Sequence, residues 1–312
     1  MLVRAKAGSY ITFFLFVALT AHAQGDTFPM PDSVLLFARY DQGLVLVTPE
    51  NSFAIHTPSG ASRTRPVGIA SLGQTGRLVS SGFPVADDPS KRWGVRCAIG
   101  VYSVAEEKWR TFGDYNAVIT TTVSPDGSAV AFYAEETTGN SRALFLLDVN
   151  SGQITKLGKD VGPPGNWSAD GKKLALHISY AKAPRIAVYD IASGSLRELG
   201  EGIFPAWSPF GEWIAYIDAS GQRVRLVHPD GTGDRVIKDV HNRVFGYRYF
   251  GLAPVWSPDS TRLLLNEYKG DGDYQDVVML DIKTGKITKK STNGLPVTGW
   301  ASSSTATHLP SR

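Results

Sequence analysis

The chain has 312 residues, of which 42% are hydrophobic, 11% aromatic and 20% charged, and its formal net charge is +3. Such a composition is globular, because it is too apolar for an intrinsically disordered chain and has no Gly-X-Y period of the collagen type. The length alone is compatible with two domains of ordinary size or with one large all-β domain.

The first 23 residues resemble a secretory signal peptide. A short basic region contains Arg4 and Lys6, an apolar segment spans 11–21, and Ala23 ends a small-x-small cleavage pattern. We therefore expect cleavage near Ala23 and a mature chain, 24–312, that is periplasmic or secreted. No later run reaches 18 apolar residues, so the mature protein is not expected to be embedded in a membrane.

The mature chain has little net charge and a single thiol. Loss of Arg4 and Lys6 with the leader lowers the net charge to about +1, which gives no general electrostatic reason to bind nucleic acid or anionic membranes. Cys97 is the only cysteine, so no internal disulfide can form. We expect it to be a small buried apolar residue.

Three short apolar runs follow the leader, at 34–39, 44–48 and 52–56. Each has the length and composition of a β-strand. They lie before the repeated part of the chain and belong to none of its units.

A repeat with spacings of 44, 40 and 49 residues begins at Val123. Trp300 begins a decayed fifth copy, and a degenerate copy that ends in Gly76 includes Ser71, 52 residues before Val123. The four clear copies are Val123-Ser-Pro-Asp-Gly127, Trp167-Ser-Ala-Asp-Gly171, Trp207-Ser-Pro-Phe-Gly211 and Trp256-Ser-Pro-Asp-Ser260.

Each copy predicts a tight hairpin, because Pro, Asp and Gly favour successive positions of a turn. The preceding Trp ends a strand, where its ring can wedge between sheets. Two further apolar runs and a short fourth one follow. The third run ends at Asp148, Asp190 or Asp281, whose carboxylates are expected to accept turn amides. Each unit is thus four antiparallel strands, and no stretch has a sustained helical period.

Units of four strands at this spacing are typical of a β-propeller. First strands near 69, 121, 165, 205, 254 and 298 predict six blades. Almost no chain follows Trp300, so we expect the last blade to be completed by the three N-terminal strands. The fold class is therefore all-β: a six-bladed β-propeller of four-stranded antiparallel blades, formed by 24–312 as a single domain.

The Trp-Ser-Pro-Asp-Gly segments, each followed by an apolar strand and then Asp-x-x-Ser/Thr-Gly, resemble the WD40-like repeats of the TolB family of six-bladed propellers. The resemblance is strong over 118–300 and weak elsewhere. It implies a periplasmic propeller. In TolB such a propeller follows an N-terminal α/β domain and binds the lipoprotein Pal. Only about ten residues separate Gln24 from the first predicted strand, so we expect that domain to be absent.

The sequence contains no Gly-x-Ser-x-Gly elbow, phosphate-binding loop, Cys-x-x-Cys or His-Glu-x-x-His motif. Among the predicted inner strands, only Asn166 offers a ligand-type side chain. His177 lies within a strand, where a satisfied structural role is favoured. A weak calcium candidate is the acidic segment with Asp271, Asp273 and Asp276, because alternate oxygens can converge on a hard cation; a solvated hairpin loop is favoured there.

Two long connections, 81–96 and 239–253, are rich in Arg and aromatic residues, the usual anchors of recognition surfaces. Both are predicted at the same rim of the propeller. An equally weighted alternative is that these rings fold inward and pack against the blades. The candidate binding residues are Arg92, Trp93, Arg96, Arg243, Phe245, Tyr247, Arg248, Tyr249 and Phe250.

These features favour a non-catalytic module, expected to be monomeric, that binds a protein or peptide of the cell envelope without a cofactor. The alternative is a propeller enzyme or carbohydrate-binding protein, of lactonase or lyase type, with its site at the channel mouth. That alternative predicts His, Asp or Asn side chains clustered at the mouth. A mouth lined by Trp, Thr and backbone disfavours it.

Overall fold

The computed structural model describes residues 33–39, 43–48, 52–56, 67–76, 78–85, 96–139, 141–158, 161–178, 183–240, 253–268, 274–291 and 297–302. Regular structure within these ranges is β-strand throughout, as the sequence predicts. The same ranges contain no apolar helix with the length required to cross a bilayer.

The strands of the described ranges form six blades, which we number by their inner strands in chain order. The N-terminal strands are β1 (Ser33–Arg39), β2 (Gly43–Val47) and β3 (Ser52–Ile55). Blade 1 contains β4 (Val67–Leu72), β5 (Leu78–Pro84), β6 (Cys97–Ser103) and the first half of β7 (Lys108–Val123). Blade 2 contains the second half of β7, β8 (Ala129–Glu136), β9 (Arg142–Asp148) and β10 (Ile154–Gly158).

Blades 3 and 4 share a long strand in the same way as blades 1 and 2. Blade 3 contains β11 (Pro164–Trp167), β12 (Lys173–Ile178), β13 (Arg185–Asp190) and the first half of β14 (Leu196–Trp207). Blade 4 contains the second half of β14, β15 (Ile214–Asp218), β16 (Arg223–Val227) and β17 (Arg235–Asp239). Blade 5 contains β18 (Val255–Trp256), β19 (Arg262–Tyr268), β20 (Tyr274–Asp281) and β21 (Ile287–Ser291).

Blade 6 joins the two ends of the described chain. Its inner strand is β22 (Val297–Ser302), which pairs antiparallel with β1, and the sheet continues through β2 to β3. The inner strands contact one another in chain order, and β22 contacts β4. The predicted closure by the N-terminal strands is therefore confirmed, and it leaves no inner strand edge open at the join.

The repeated Ser-Pro-Asp-Gly segments form the predicted turns. In blade 2 the Ser124 hydroxyl donates to Asp126 Oδ1 (2.6 Å), the Ala129 amide donates to Ser124 Oγ (2.9 Å), and Gly127 has a φ of 76°. These bonds, together with the amide of Ser128, hold the pKa of Asp126 below its usual value. Blades 3 and 5 repeat the Ser-to-Asp bond at Asp170 and Asp259.

The aspartates at the ends of the third strands also build turns. Asp148 Oδ1 accepts the amide of Ser151 at 2.7 Å, and Asp190 and Asp281 accept equivalent amides. We call the end of the ring that carries these turns the turn end. The opposite end, the rim end, carries the connections from second to third strands and from each blade to the next.

The hydrophobic core of the described residues lies in six clusters, one between each pair of neighbouring blades. The tryptophans link these pairs, as expected of wedges between sheets. Trp167 Nε1 donates to the Thr122 carbonyl of blade 2 (3.1 Å), and Trp256 Nε1 donates to the Ala206 carbonyl of blade 4 (2.8 Å). Cys97 is buried between blades 1 and 2, and burial raises its pKa to about 11.

Candidate functional site

A cavity of about 570 Å³ lies at the centre of the ring. This volume is within the usual range for small-molecule sites. Each of the six inner strands contributes a segment to its wall, namely 70–72, 119–123, 162–167, 204–207, 253–256 and 298–300. The wall is therefore built by the whole ring.

The cavity spans the channel from the turn end, where Gln74 and Pro209 line it, to the rim end. Tyr133 and His177, near the rim ends of second strands, line it, as does Arg142 at the start of a third strand. Gly162 and Ala253, where the chain enters blades 3 and 5, are also part of the wall. The wall at this end therefore includes second and third strands as well as inner ones.

Backbone and side-chain contacts fix the wall between blades 3 and 4. A Cβ atom at Gly165 would overlap the Pro205 carbonyl, so only glycine allows this approach of the two inner strands. Asn166 Nδ2 donates to the Trp207 carbonyl (2.8 Å), and its Oδ1 accepts the Trp207 amide. The amide predicted as a ligand-type group is therefore used to hold two blades together.

A second asparagine joins blades 5 and 6. Asn266 Nδ2 donates to the Val297 carbonyl and Oδ1 accepts the Val297 amide, both at 2.8 Å. Asn266 is 4% exposed, and Val297 is fully buried. The side chain thus satisfies two backbone groups that would otherwise be unpaired in the interior.

His177 occupies in blade 3 the position that Asn266 occupies in blade 5. Each follows the tryptophan of its blade by ten residues. Their neighbours also correspond, because Phe204 and Val297 each lie three residues before the tryptophan of the next blade. The junction between blades 3 and 4 can therefore be compared directly with the junction between blades 5 and 6.

At the junction of blades 3 and 4, the imidazole makes no hydrogen bond to a described residue. It packs edge-to-face on Phe204, with ring centroids 5.8 Å apart, and its Nε2 is buried without a partner. Phe204 has a φ of 55°, a costly conformation for a residue with a bulky side chain, whereas Val297 has an ordinary φ. The expected hydrogen bonding of His177 is therefore not observed at Nε2 among the described residues, whereas its packing on Phe204 is a structural contact.

A second partnerless atom lies across the cavity. Thr298 Oγ1 is buried and has no hydrogen-bond partner in the described structure. Thr298 belongs to blade 6 and His177 to blade 3, and these blades are opposite in a ring of six. Burial lowers the pKa of His177, so its ring is neutral at neutral pH. Both groups are uncharged, and each can face the cavity only after its side chain rotates, because neither atom is exposed in the observed position.

The cavity wall has almost no net charge. Arg142 is the only Arg, Lys, Asp or Glu among its described lining residues. Its Nε lies 3.2 Å from Glu135 Oε2, and its side chain is half-exposed. The described lining is dominated by Pro, Thr, Trp, Gly and Ala.

Of the predicted rim residues, the structure describes one. Arg96 is exposed, forms an ion pair with Asp114, and its carbonyl accepts the Val85 amide (2.8 Å). Its guanidinium is therefore partly engaged within blade 1. The other eight lie outside the described residues: Arg92, Trp93, Arg243, Phe245, Tyr247, Arg248, Tyr249 and Phe250.

The calcium candidate is also largely outside the described ranges. Asp271 and Asp273 are not described, and Asp276 is described only as a backbone position of β20. In the part of the chain that is described, no cluster of three His, Cys, Asp or Glu side chains could hold a metal ion.

Comparison with solved structures identifies propellers. TolB from Acinetobacter baumannii matches with a TM-score of 0.66 and 13% identity over 86% of this chain. A chain of a nidogen/laminin complex matches with a TM-score of 0.62 and 12% identity, covering 86% of this chain and 97% of that one. An oligogalacturonate lyase from Vibrio parahaemolyticus has a TM-score of 0.54 and 11% identity, covering 75% and 70%.

The comparisons establish the fold. No protein-family model and no curated protein sequence matches the chain. The chain spans 66% of the length of the Acinetobacter baumannii TolB. At these identities the likeness concerns architecture, and the structural neighbours include both TolB and a lyase. The chain has a β-propeller fold similar to that of TolB.

Proposed function

We propose that this chain is an exported, non-catalytic propeller that binds a protein or peptide of the cell envelope at its rim end. The observation that carries the proposal is the position of the two long connections. Strand β5 ends at Pro84 and β17 ends at Asp239, and the connections that follow them both leave the ring at the rim end.

The proposed leader and the structural neighbours support the envelope part of this proposal. Residues 1–23 have the pattern of a secretory signal, and the TolB family is periplasmic. A propeller of similar shape occurs in a structure named for a complex between nidogen and laminin. Together they favour a binding module that works outside the cytoplasm.

Site-specific photocrosslinking in cells tests this function. A photoreactive phenylalanine analogue at Val85, which is 39% exposed beside the first long connection, should give discrete adducts with an envelope protein. The same analogue at Phe210, which is 69% exposed at the turn end, is the matched control. Adducts at Val85 should disappear when Arg243, Tyr247, Arg248 and Tyr249 are changed to Ala.

Three results of the crosslinking experiment would count against this proposal. Discrete adducts at Phe210 with none at Val85 would move the binding surface to the turn end. Adducts at Val85 that persist in the fourfold Ala variant would remove the second long connection, 239–253, from the binding surface. Absence of adducts at both positions would contradict a protein-binding role.

The channel-mouth alternative has one favourable observation, the likeness to an oligogalacturonate lyase. That alternative predicts a cluster of His, Asp or Asn at the mouth. The described lining holds His177 and Asn166, and the Asn166 amide is bonded to Trp207. Carboxylates for acid–base chemistry are not among the described lining residues. We propose binding in preference to catalysis because the Asn166 amide is already used to hold blades 3 and 4 together.

A further inference from the structure

The central cavity has two features that the structural role of the ring does not explain. His177 Nε2 and Thr298 Oγ1 are both buried without a hydrogen-bond partner. A buried polar atom without a partner costs roughly 1–3 kcal/mol. Such atoms are uncommon in folded proteins and often coincide with sites that a ligand completes.

The junction of blades 5 and 6 shows that a polar side chain at this position can be fully hydrogen-bonded in the same fold. Where blade 3 has His177, blade 5 has Asn266, which bonds both backbone groups of Val297. His177 Nε2 makes no such bond. Instead the imidazole lies against the Phe204 ring, whose backbone has a φ of 55°. Partnerless polar atoms and backbone strain commonly occur together at functional sites.

The imidazole can present its nitrogen to the cavity. Nε2 is shielded from water in the observed ring position, but the described structure provides no hydrogen bond that fixes the ring. Rotation about the Cβ–Cγ bond has a low barrier because it joins sp³ and sp² atoms. The adjacent cavity of about 570 Å³ provides space for that rotation.

The charge of the lining defines the ligand class. Arg142 is the one formally charged side chain of the described wall, and Glu135 lies beside it. A cation would lose its hydration without gaining an opposite charge, and an anion would have to compete with Glu135 for Arg142. Phe204, Pro205 and Pro254 supply apolar surface. A neutral molecule with an apolar body matches this wall.

We propose that the central cavity binds a small uncharged ligand that has an apolar ring or chain and carries amide or hydroxyl groups. His177 and Thr298 donate or accept its hydrogen bonds from opposite walls. This site is separate from the proposed protein-binding rim, and either can exist without the other.

Three probes of one planar shape and different charge test the proposal: benzamide, benzoate and benzamidinium. Their binding to the full mature chain at neutral pH can be measured by saturation-transfer NMR. Benzamide should bind, with at least a tenfold advantage over each charged analogue. His177→Phe and Thr298→Val should each weaken benzamide binding about five- to tenfold, the loss expected for one hydrogen bond. Thr155→Val, an exposed position in β10, should have no effect.

Thermal stability supplies a second readout that a structural role would move in the opposite direction. Because His177 and Thr298 lack partners, both variants should keep the wild-type Tm or raise it by about 2 °C. Equal binding of a charged analogue, failure of benzamide to bind, or benzamide binding that neither variant changes would overturn the proposal. A Tm several degrees lower in both variants would also overturn it, because it would show that these side chains hold the fold.

Discussion

The junction of blades 5 and 6 differs from the junction of blades 3 and 4 in the side chains at two equivalent positions. Asn266 reaches across to the backbone of Val297 and satisfies both of its polar groups. His177 reaches across to the ring of Phe204 and leaves its own Nε2 without a partner. At this pair of positions, blades 5 and 6 are joined by hydrogen bonds, and blades 3 and 4 are joined by an aromatic contact.

This difference means that one of the two equivalent positions stabilises the ring, whereas the other can bind a ligand. Blades 3 and 4 are also linked by a side-chain amide, but this amide belongs to Asn166 on the inner strand and bonds the backbone of Trp207. The second-strand residue, His177, is therefore not needed to hold the two blades together. A polar side chain beside a cavity can hydrogen-bond a ligand when it has no protein partner, whereas a side chain that is already hydrogen-bonded to the protein cannot.

The largest expected effect is at the junction of blades 5 and 6. Asn266→Ala leaves the buried amide and carbonyl of Val297 without partners, so we expect a loss of about 3 kcal/mol in the free energy of unfolding. Urea denaturation measures it. Asn150→Ala, in an exposed turn, is the control and should change stability by less than about 0.5 kcal/mol. Similar losses in both variants would contradict the role of the Asn266 bonds.

A smaller loss of stability is expected when the Asn166 link between blades 3 and 4 is removed. Asn166→Ala removes the two bonds to Trp207, but this site is only partly buried and water can reach the freed groups. We expect a loss of about 1.5 kcal/mol by the same denaturation assay. A loss as large as that of Asn266→Ala would show that exposure does not distinguish the two links.

The smallest effect concerns pH. Burial lowers the pKa of His177 below its ordinary value of 6.5, so the unfolded chain binds this proton at a higher pH than the folded chain. Stability is therefore complete above pH 6.5 and falls as the pH decreases towards the folded-state value. Urea unfolding at pH 7 and pH 5 should show a smaller decrease for His177→Phe than for the wild type. An equal decrease would mean that His177 does not titrate as a buried group.

Much of the fold could be predicted because its signals are local. Ser124, Asp126 and Gly127 form their turn through bonds within six residues, so the sequence pattern alone identifies it. The three N-terminal strands were predicted within a residue or two of their bounds. In the degenerate copy the structural equivalent of Val123 is Leu72, one residue after the predicted Ser71, because Gly73 makes the turn bond that Ser124 makes.

The site was harder to predict because its bonds connect distant residues. Asn266 and Val297 are 31 positions apart, and Asn166 and Trp207 are 41 apart. Whether a strand polar residue is bonded or free depends on the neighbouring blade, which the local pattern does not specify. One sequence signal was present: His177 and Asn266 occupy the same position of the repeat, and a change of residue type there could have singled out His177.

The reciprocal exchange of these two residues tests the central claim most directly. The free energies of unfolding of His177→Asn and Asn266→His should be measured by urea denaturation under identical conditions. We expect His177→Asn to leave stability within about 1 kcal/mol of the wild type, because His177 Nε2 has no hydrogen bond to lose, and Asn266→His to lower it by about 3 kcal/mol. A loss confined to Asn266→His would show that only the position in blade 5 holds neighbouring blades together. Comparable losses in both variants would contradict the account.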